Sequence, residues 1–225
     1  MIQTAPAYTA TEVARFNMIE QQIRTWEVLD PVVLALLNDI PREHFVPTEY
    51  LGLAFADIEI PIGAGQTMLS PKLEGRILQS LSVQKNHHVL HIGTGSGYVT
   101  ALLASLAKHV VSVEIDAEIS EKAAKNLMQH HIQNVSLLVA DGALGLPNQA
   151  PFDVIVYTGS SPVEPADVRK QLAIGGKLFI VLGSGPAMQA TLIQRLSETG
   201  FKQDVLFETY IPELVNASQA ATFQF

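Results

Sequence analysis

The run Gly93-Thr94-Gly95-Ser96-Gly97 lies between the apolar stretch Val89–Ile92 and a helical pattern that begins at Tyr98, and its residue types could hold a ligand. Glycines permit a turn whose backbone comes close to a bound molecule, because no Cβ intervenes. The helix that follows offers unpaired N–H groups and the positive end of its dipole. A GxGxG alone equally describes a sharp strand-to-helix turn, so its neighbours matter. Glu114 ends the next β-branched stretch, 21 residues on (114 − 93), and Asp141-Gly142 follows the third. In an alternating α/β chain, ligands bind outside the carboxyl ends of the strands where the strand order reverses. The three groups are therefore expected at one site. Glu114 can accept hydrogen bonds from both ribose hydroxyls, and Asp141 with the Gly142 backbone can read an adenine edge; a helix-flanking acid and a turn acid are the rival roles. A dinucleotide fingerprint would place its third glycine at position 98, where this chain has Tyr98, and that ring would obstruct a pyrophosphate. NAD and FAD are disfavoured. S-Adenosylmethionine has no pyrophosphate and suits a more open turn, with Gly93, Thr94, Gly95 and Gly97 facing its methionine end.

A second cluster lies upstream in Gln66-Thr67-Met68-Leu69-Ser70-Pro71. Ser70 could donate to a substrate carboxylate, or cap the helix that Pro71 begins. Thr67 could donate within the same loop or stabilise its turn. His91, at the junction of strand and glycine loop, could reach toward a cofactor amino group through water, or sit buried and satisfied by backbone. A protonated ring there would repel a sulfonium, so a neutral ring is expected. Neighbouring histidines such as His130 and His131 do not make a metal pair, since adjacent helix positions point apart, and no metal site is expected.

These groups need a scaffold. The chain has 225 residues, 48% of them hydrophobic and only 16% charged, below the roughly 25% charged content of a typical soluble domain. Two blocks are expected: an N-terminal helical elaboration over residues 1–84 carrying the substrate-site loop, and a cofactor-binding core over residues 85–225. In the first block, Val13, Phe16, Ile19 and Ile23 suggest one helical stripe. Asp30-Pro31 starts a second helix that would bury Val32, Leu34, Leu36 and Leu37, and Ser70-Pro71 starts a third carrying Leu73, Ile77, Leu78 and Leu81. Ile60–Ser70 reads as a structured loop over the core, and Phe16, Trp26, Phe45 and Tyr50 as anchors. In the second block, strands are expected at His87–Ile92, His109–Glu114, Val135–Ala140, Asp153–Thr158 and Lys177–Leu182. Helices between them imply crossovers and parallel pairing. A helix over Gln189–Thr199 and extended segments at Asp204–Tyr210 and Thr222–Phe225 complete the expected pattern, with an antiparallel C-terminal edge to a doubly wound α/β sheet.

Composition narrows the classes. Fourteen basic against twenty-two acidic residues leave a net charge of −8, which disfavours electrostatic nucleic-acid binding. No cysteine is present, so disulfide, thiolate and Cys-ligated chemistry is out. The N-terminus lacks a signal-peptide pattern and no window approaches the ~18 apolar residues of a membrane span. Cytoplasmic residence without membrane association is the expectation.

The segments VLHIGTGSGY, VVSVEID, VADGALGLP and PFDVIVYTG resemble the class I S-adenosylmethionine-dependent methyltransferases. GAGQTMLSP, Pro41-Arg42-Glu43-His44-Phe45-Val46-Pro47 and Tyr210-Ile211-Pro212-Glu213-Leu214 sharpen this toward the protein-L-isoaspartate (D-aspartate) O-methyltransferase family. The resemblance implies a mostly parallel seven-stranded sheet, S-adenosyl-L-methionine as methyl donor, isoaspartyl-containing polypeptides as partners and a monomeric cytosolic repair enzyme. It implies Ser70 and Thr67 at the transfer site, and His91, Gly93, Thr94, Gly95, Gly97, Glu114, Asp141 and Gly142 around the cofactor. The chain departs at Leu69, where the family commonly has serine, and at His91, where it has glutamate. A small-molecule acceptor and a non-catalytic cofactor-binding protein are the competing readings. Carboxylate methylation needs no general base, because the acceptor is already ionised at pH 7; the site must orient it.

Overall fold

A computed structural model describes residues 9–220. The expected extended segment at Thr222–Phe225 falls outside them. The N-terminal layer begins with α1 (Ala10–Asn17), closed by a Thr9/Glu12 capping box. It continues as a π-helical stretch, Met18–Ile23, and a 3-10 turn, Arg24–Trp26. That change of pitch corrects the single-stripe expectation: Met18, Ile19 and Ile23 are buried while Val13 and Phe16 face solvent. Trp26 is also exposed, so of the four expected aromatic anchors Phe45 is buried and Tyr50 packs partly against the core. Asp30 caps α2 (Pro31–Asp39) by accepting from the Val32 and Val33 N–H groups. The buried residues of α2 are Val33, Leu34 and Leu37, with Val32 exposed. The expected loop is a two-stranded hairpin, β1 (Ile60–Gly63) and β2 (Gln66–Met68). It leads into α3 (Pro71–Leu81), with Ser70 at the cap position but without a capping side-chain bond.

The main sheet holds β3 (His88–Ile92), β4 (His109–Glu114), β5 (Val135–Val139), β6 (Phe152–Ser161), β7 (Leu172–Leu182), β8 (Met188–Arg195) and β9 (Phe201–Thr209), in the order β5-β4-β3-β6-β7-β8-β9. Pairing is parallel from β5 through β7 and antiparallel across β7–β8 and β8–β9. The seven-stranded, mostly parallel sheet with an antiparallel edge is as expected. The helix expected over Gln189–Thr199 is instead β8, whose ladder groups are satisfied by β7 on one side and β9 on the other.

α4 (Tyr98–Leu106) follows β3 and α5 (Ala117–Gln129) follows β4, with Asp116 capping α5 through the Ile119 N–H. α4 is buried on nearly every side, seven of its nine residues having little exposure. A helix hydrophobic all round must be covered on both faces, and here the sheet lies under it while α2 and α5 pack against its other sides. One hydrophobic cluster accordingly runs from Met18 through α2, α3 and α4 to Val89, Val154 and Phe179. The opposite sheet face, carrying Leu90, Ile92, Ile155, Leu178 and Ile180, is covered by loops and by the 3-10 turn Val168–Gln171. Among the described residues no helix is long and apolar enough to cross a membrane.

Candidate active site

β3 and β6 lie at the centre of the sheet, and the strand order reverses between them. At their carboxyl ends is a cavity of about 870 Å³, counting the part open to solvent. The glycine loop forms one wall. It can bend so sharply because Gly93, Gly95 and Gly97 take φ of 90°, 56° and 87°, conformations that side chains resist. Main-chain bonds from the Gly93 and Thr94 N–H groups to the Val113 carbonyl tie it to β4. Thr94 is buried, its hydroxyl 2.7 Å from that of Ser112. Asn126 of α5 donates to the Ser96 carbonyl at 2.9 Å.

Glu114 sits at the tip of β4, nearly buried, and accepts from the Gly95 N–H at 2.9 Å and the Asp116 N–H at 3.1 Å. The carboxylate thus sets the shape of the loop, and Glu114 belongs to the lining of the cavity. Asp141, just past β5, accepts from the Ala143 N–H at 2.9 Å and from the Asn216 amide at 2.8 Å. Gly142 is packed so closely that a Cβ there would lie 2.9 Å from the Ile92 Cδ1. The structure therefore brings Gly93, Thr94, Gly95, Glu114, Asp141 and Gly142 to one cavity, while Gly97 lies behind it as the start of α4.

The remaining expected groups divide. Thr67 lines the cavity, with its hydroxyl donated to Glu59 at 3.1 Å. Ser70 does not belong to the lining. His91 does not line it either: it is fully buried on the helical side of β3. Its Nδ1 lies 2.9 Å from the Thr100 hydroxyl and its Nε2 3.1 Å from that of Thr158. Its partners are side-chain hydroxyls rather than backbone, and burial pulls its pKa down to about 3, so the ring is neutral. Thr158 in turn donates to the Gly93 carbonyl at 2.7 Å, so His91 acts on the loop through this hydroxyl.

Three more components complete the wall. The sequence left open whether Ile211-Pro212-Glu213 borders a peptide groove or closes the sheet edge, it marked Tyr98 only as an obstacle to a pyrophosphate, and the third was not read from it. The first is the C-terminal strap: the Ser160 N–H donates to the Pro212 carbonyl and the Leu214 N–H to the Ser160 carbonyl. This forms a parallel bridge beside the end of β6 and lays Pro212, Glu213, Leu214 and Val215 along the cavity. Leu214 fits only because residue 159 is glycine, where a Cβ would fall 2.6 Å from its Cδ2. The second is Tyr98, buried in the wall at the position where a dinucleotide fold would need glycine. The third is Glu74 of α3, which lines the cavity and pairs with Arg42 at 3.3 Å, both side chains fully buried. Burial pushes the Glu74 pKa up to about 8, with Arg42 opposing. A signal was available: Glu74 stands three, four and seven residues before Ile77, Leu78 and Leu81, on the apolar stripe.

Besides Glu74, which burial keeps protonated, the lining carries Glu114, Asp141 and Glu213 and, among the described residues, no lysine, arginine or histidine. An acidic, partly dry wall favours a cationic ligand. S-Adenosylmethionine, with a sulfonium and an ammonium against one carboxylate, meets that condition.

A family model described as protein-L-isoaspartate(D-aspartate) O-methyltransferase matches residues 14–218. A protein-L-isoaspartate O-methyltransferase of Rhodopseudomonas palustris is 37% identical over 201 residues, covering 89% of this chain and 92% of its own length. One from Marinobacter nauticus is 40% identical over 190 residues, covering 84% and 87%. Among solved structures, a protein-L-isoaspartate O-methyltransferase superposes with TM-score 0.76 at 25% identity, over 89% of this chain and 66% of that one. A Plasmodium falciparum structure, described as a putative protein-L-isoaspartate O-methyltransferase in complex with S-adenosyl-L-homocysteine, shares the fold with TM-score 0.78 at 17% identity, over 92% and 99%.

Proposed function

The chain belongs to the protein-L-isoaspartate (D-aspartate) O-methyltransferase family, and on that footing we infer that it methylates the free α-carboxylate of isoaspartyl residues in damaged polypeptides. The observation that carries this reading is one cavity in which the glycine turn, Glu114 and Asp141 share the lining with the Gln66–Leu69 segment of the N-terminal layer. S-Adenosylmethionine supplies the methyl group from its sulfonium. In our reading Glu114 holds the ribose hydroxyls, Asp141 and the Gly142 backbone take the adenine edge, and the loop main chain takes the amino-acid end. Leu69, Met68 and Ile62 form the apolar wall beside the transfer point and limit water there. The acceptor oxygen is ionised at pH 7, so the residues contribute orientation rather than proton abstraction. Thr67, bound to Glu59, fixes the strand that presents this wall. A methyl ester next to a flexible backbone then closes to a succinimide without help from the protein, and such a substrate suits a monomer acting in the cytoplasm.

The test mixes purified protein and labelled S-adenosylmethionine with matched peptides carrying aspartate or isoaspartate. Base-labile label on the isoaspartyl peptide in clear preference is the expected result. Equal labelling of both peptides, or none with a well-folded protein, would refute it.

A further inference from the structure

Glu74 is unlike the other acids of the cavity. Glu114 and Asp141 each accept bonds from the protein, whereas neither oxygen of Glu74 has a hydrogen-bond partner among the described residues. The residue is 1% exposed and belongs to the cavity wall. A buried polar group left without a partner is costly, and a wall group in that condition marks where a ligand atom binds. The donors near it at this end are spoken for: Thr67 donates to Glu59, Tyr98 to the Ile40 carbonyl at 3.4 Å, and position 69 is leucine.

We propose that the unpartnered Glu74 carboxyl in the cavity wall hydrogen-bonds the acceptor's α-carboxylate and so determines which acceptors bind. The inference rests on the isoaspartyl reading above and goes beyond it. Arg42 contributes from behind: it donates to the Leu69 carbonyl and touches the Met68 sulfur, and its Nε faces Oε2 of Glu74. One oxygen is thereby turned to Arg42, and Oε1 has no protein partner among the described residues. An ionised Glu74 would instead repel the acceptor, and its raised pKa of about 8 keeps the proton in place at neutral pH. After transfer the ester carbonyl can still accept the same bond, so Glu74 neither gains nor loses a proton in the reaction. The groups that bear on this carboxyl are Arg42 from the turn before β1 and Tyr98 from α4. Glu43 is engaged by Arg15 of α1, and Lys177 of β7 reaches the far end of α3 at the Ser80 carbonyl.

The test compares wild type, E74Q and E74L for methyl transfer to an isoaspartyl peptide between pH 6 and 9.5. Peptide affinity is also measured by calorimetry with S-adenosylhomocysteine bound, and the Kd of S-adenosylhomocysteine alone is recorded. E74L is expected to weaken peptide binding by about ten- to a hundredfold, the usual scale for a bond to a charged group, with kcat changed less and the S-adenosylhomocysteine Kd held. E74Q, which keeps a neutral donor, should restore most of the lost affinity. Wild-type KM should climb about tenfold per pH unit above the Glu74 pKa, as its proton is lost, and E74Q should lack that climb. A KM profile in E74Q parallel to wild type, or an equal loss of S-adenosylhomocysteine binding in either variant, would overturn the proposal. If E74L fails to fold, the E74Q profile decides alone. A wild type inactive on the peptide would refute the isoaspartyl reading and this inference together; an active wild type with an unaltered E74Q profile would refute this inference only.

Discussion

His91 and Glu74 are both neutral in the folded protein, and removing them one at a time should tilt the pH profile of stability in opposite directions. Burial lowers the His91 pKa from 6.5 to about 3 and raises that of Glu74 from 4.5 to about 8. Between those His91 values the unfolded chain binds a proton that the folded chain refuses, so the His91 contribution is complete above pH 6.5 and is lost as pH falls toward 3. Between the Glu74 values the folded chain keeps a proton that the unfolded chain has released. Its contribution is therefore complete below pH 4.5 and is lost as pH rises toward 8. A one-proton difference is worth about 1.4 kcal/mol per pH unit. From pH 4.5 to 6.5 the two slopes cancel; below that window His91 acts alone, and above it Glu74 does. H91N, which keeps a hydrogen-bonding group but does not titrate, should gain on wild type steadily as pH falls below 6.5, by about 2 kcal/mol at pH 5. E74Q should gain on wild type as pH rises from 5 to 8. Urea unfolding at half-unit pH steps from 4.5 to 9 measures both differences. Curves for wild type and H91N that stay parallel across pH 4.5–6.5 would refute the buried, neutral assignment of His91.

Three further outcomes are expected. S70A should leave stability within about 0.5 kcal/mol and turnover per folded molecule within about twofold, because the Ser70 hydroxyl neither caps α3 nor lines the cavity; a tenfold loss of turnover without a change in melting temperature would restore Ser70 to the transfer site. E114Q should weaken S-adenosylhomocysteine binding by about ten- to a hundredfold in calorimetry, since Glu114 holds both the loop and one face of the cavity; an unchanged Kd would remove it from the site. G159A should displace Leu214 and cost about 1–3 kcal/mol by overpacking, with faster hydrogen exchange at the Leu214 amide; unchanged exchange would show that the strap does not depend on the glycine.

Much of the cavity was legible in the sequence because its parts are encoded locally. A strand end, a glycine turn and a capped helix are each specified by a few neighbouring residues, so Gly93–Gly97, Glu114 with Asp116, and Asp141-Gly142 could be placed from their order alone. Where the local period breaks, the reading failed. Met188–Arg195 looked helical because a register shift between Ala190 and Thr191 buries two successive residues and hides the alternation of a strand. The π-helical stretch at Met18–Ile23 likewise shifted the buried stripe away from Val13 and Phe16.

By itself the amino-acid sequence determined the mostly parallel sheet, the position of the glycine turn and the two carboxylates at the strand ends, since short-range rules govern each of these. Only the tertiary structure decided that His91 turns inward to Thr100 and Thr158, that the strap from Pro212 to Val215 lines the cavity, and that Arg42 and Glu74 meet inside its wall. Those contacts join residues separated by tens of positions in the chain, and their partners are selected by which faces the packed sheet and helices leave available.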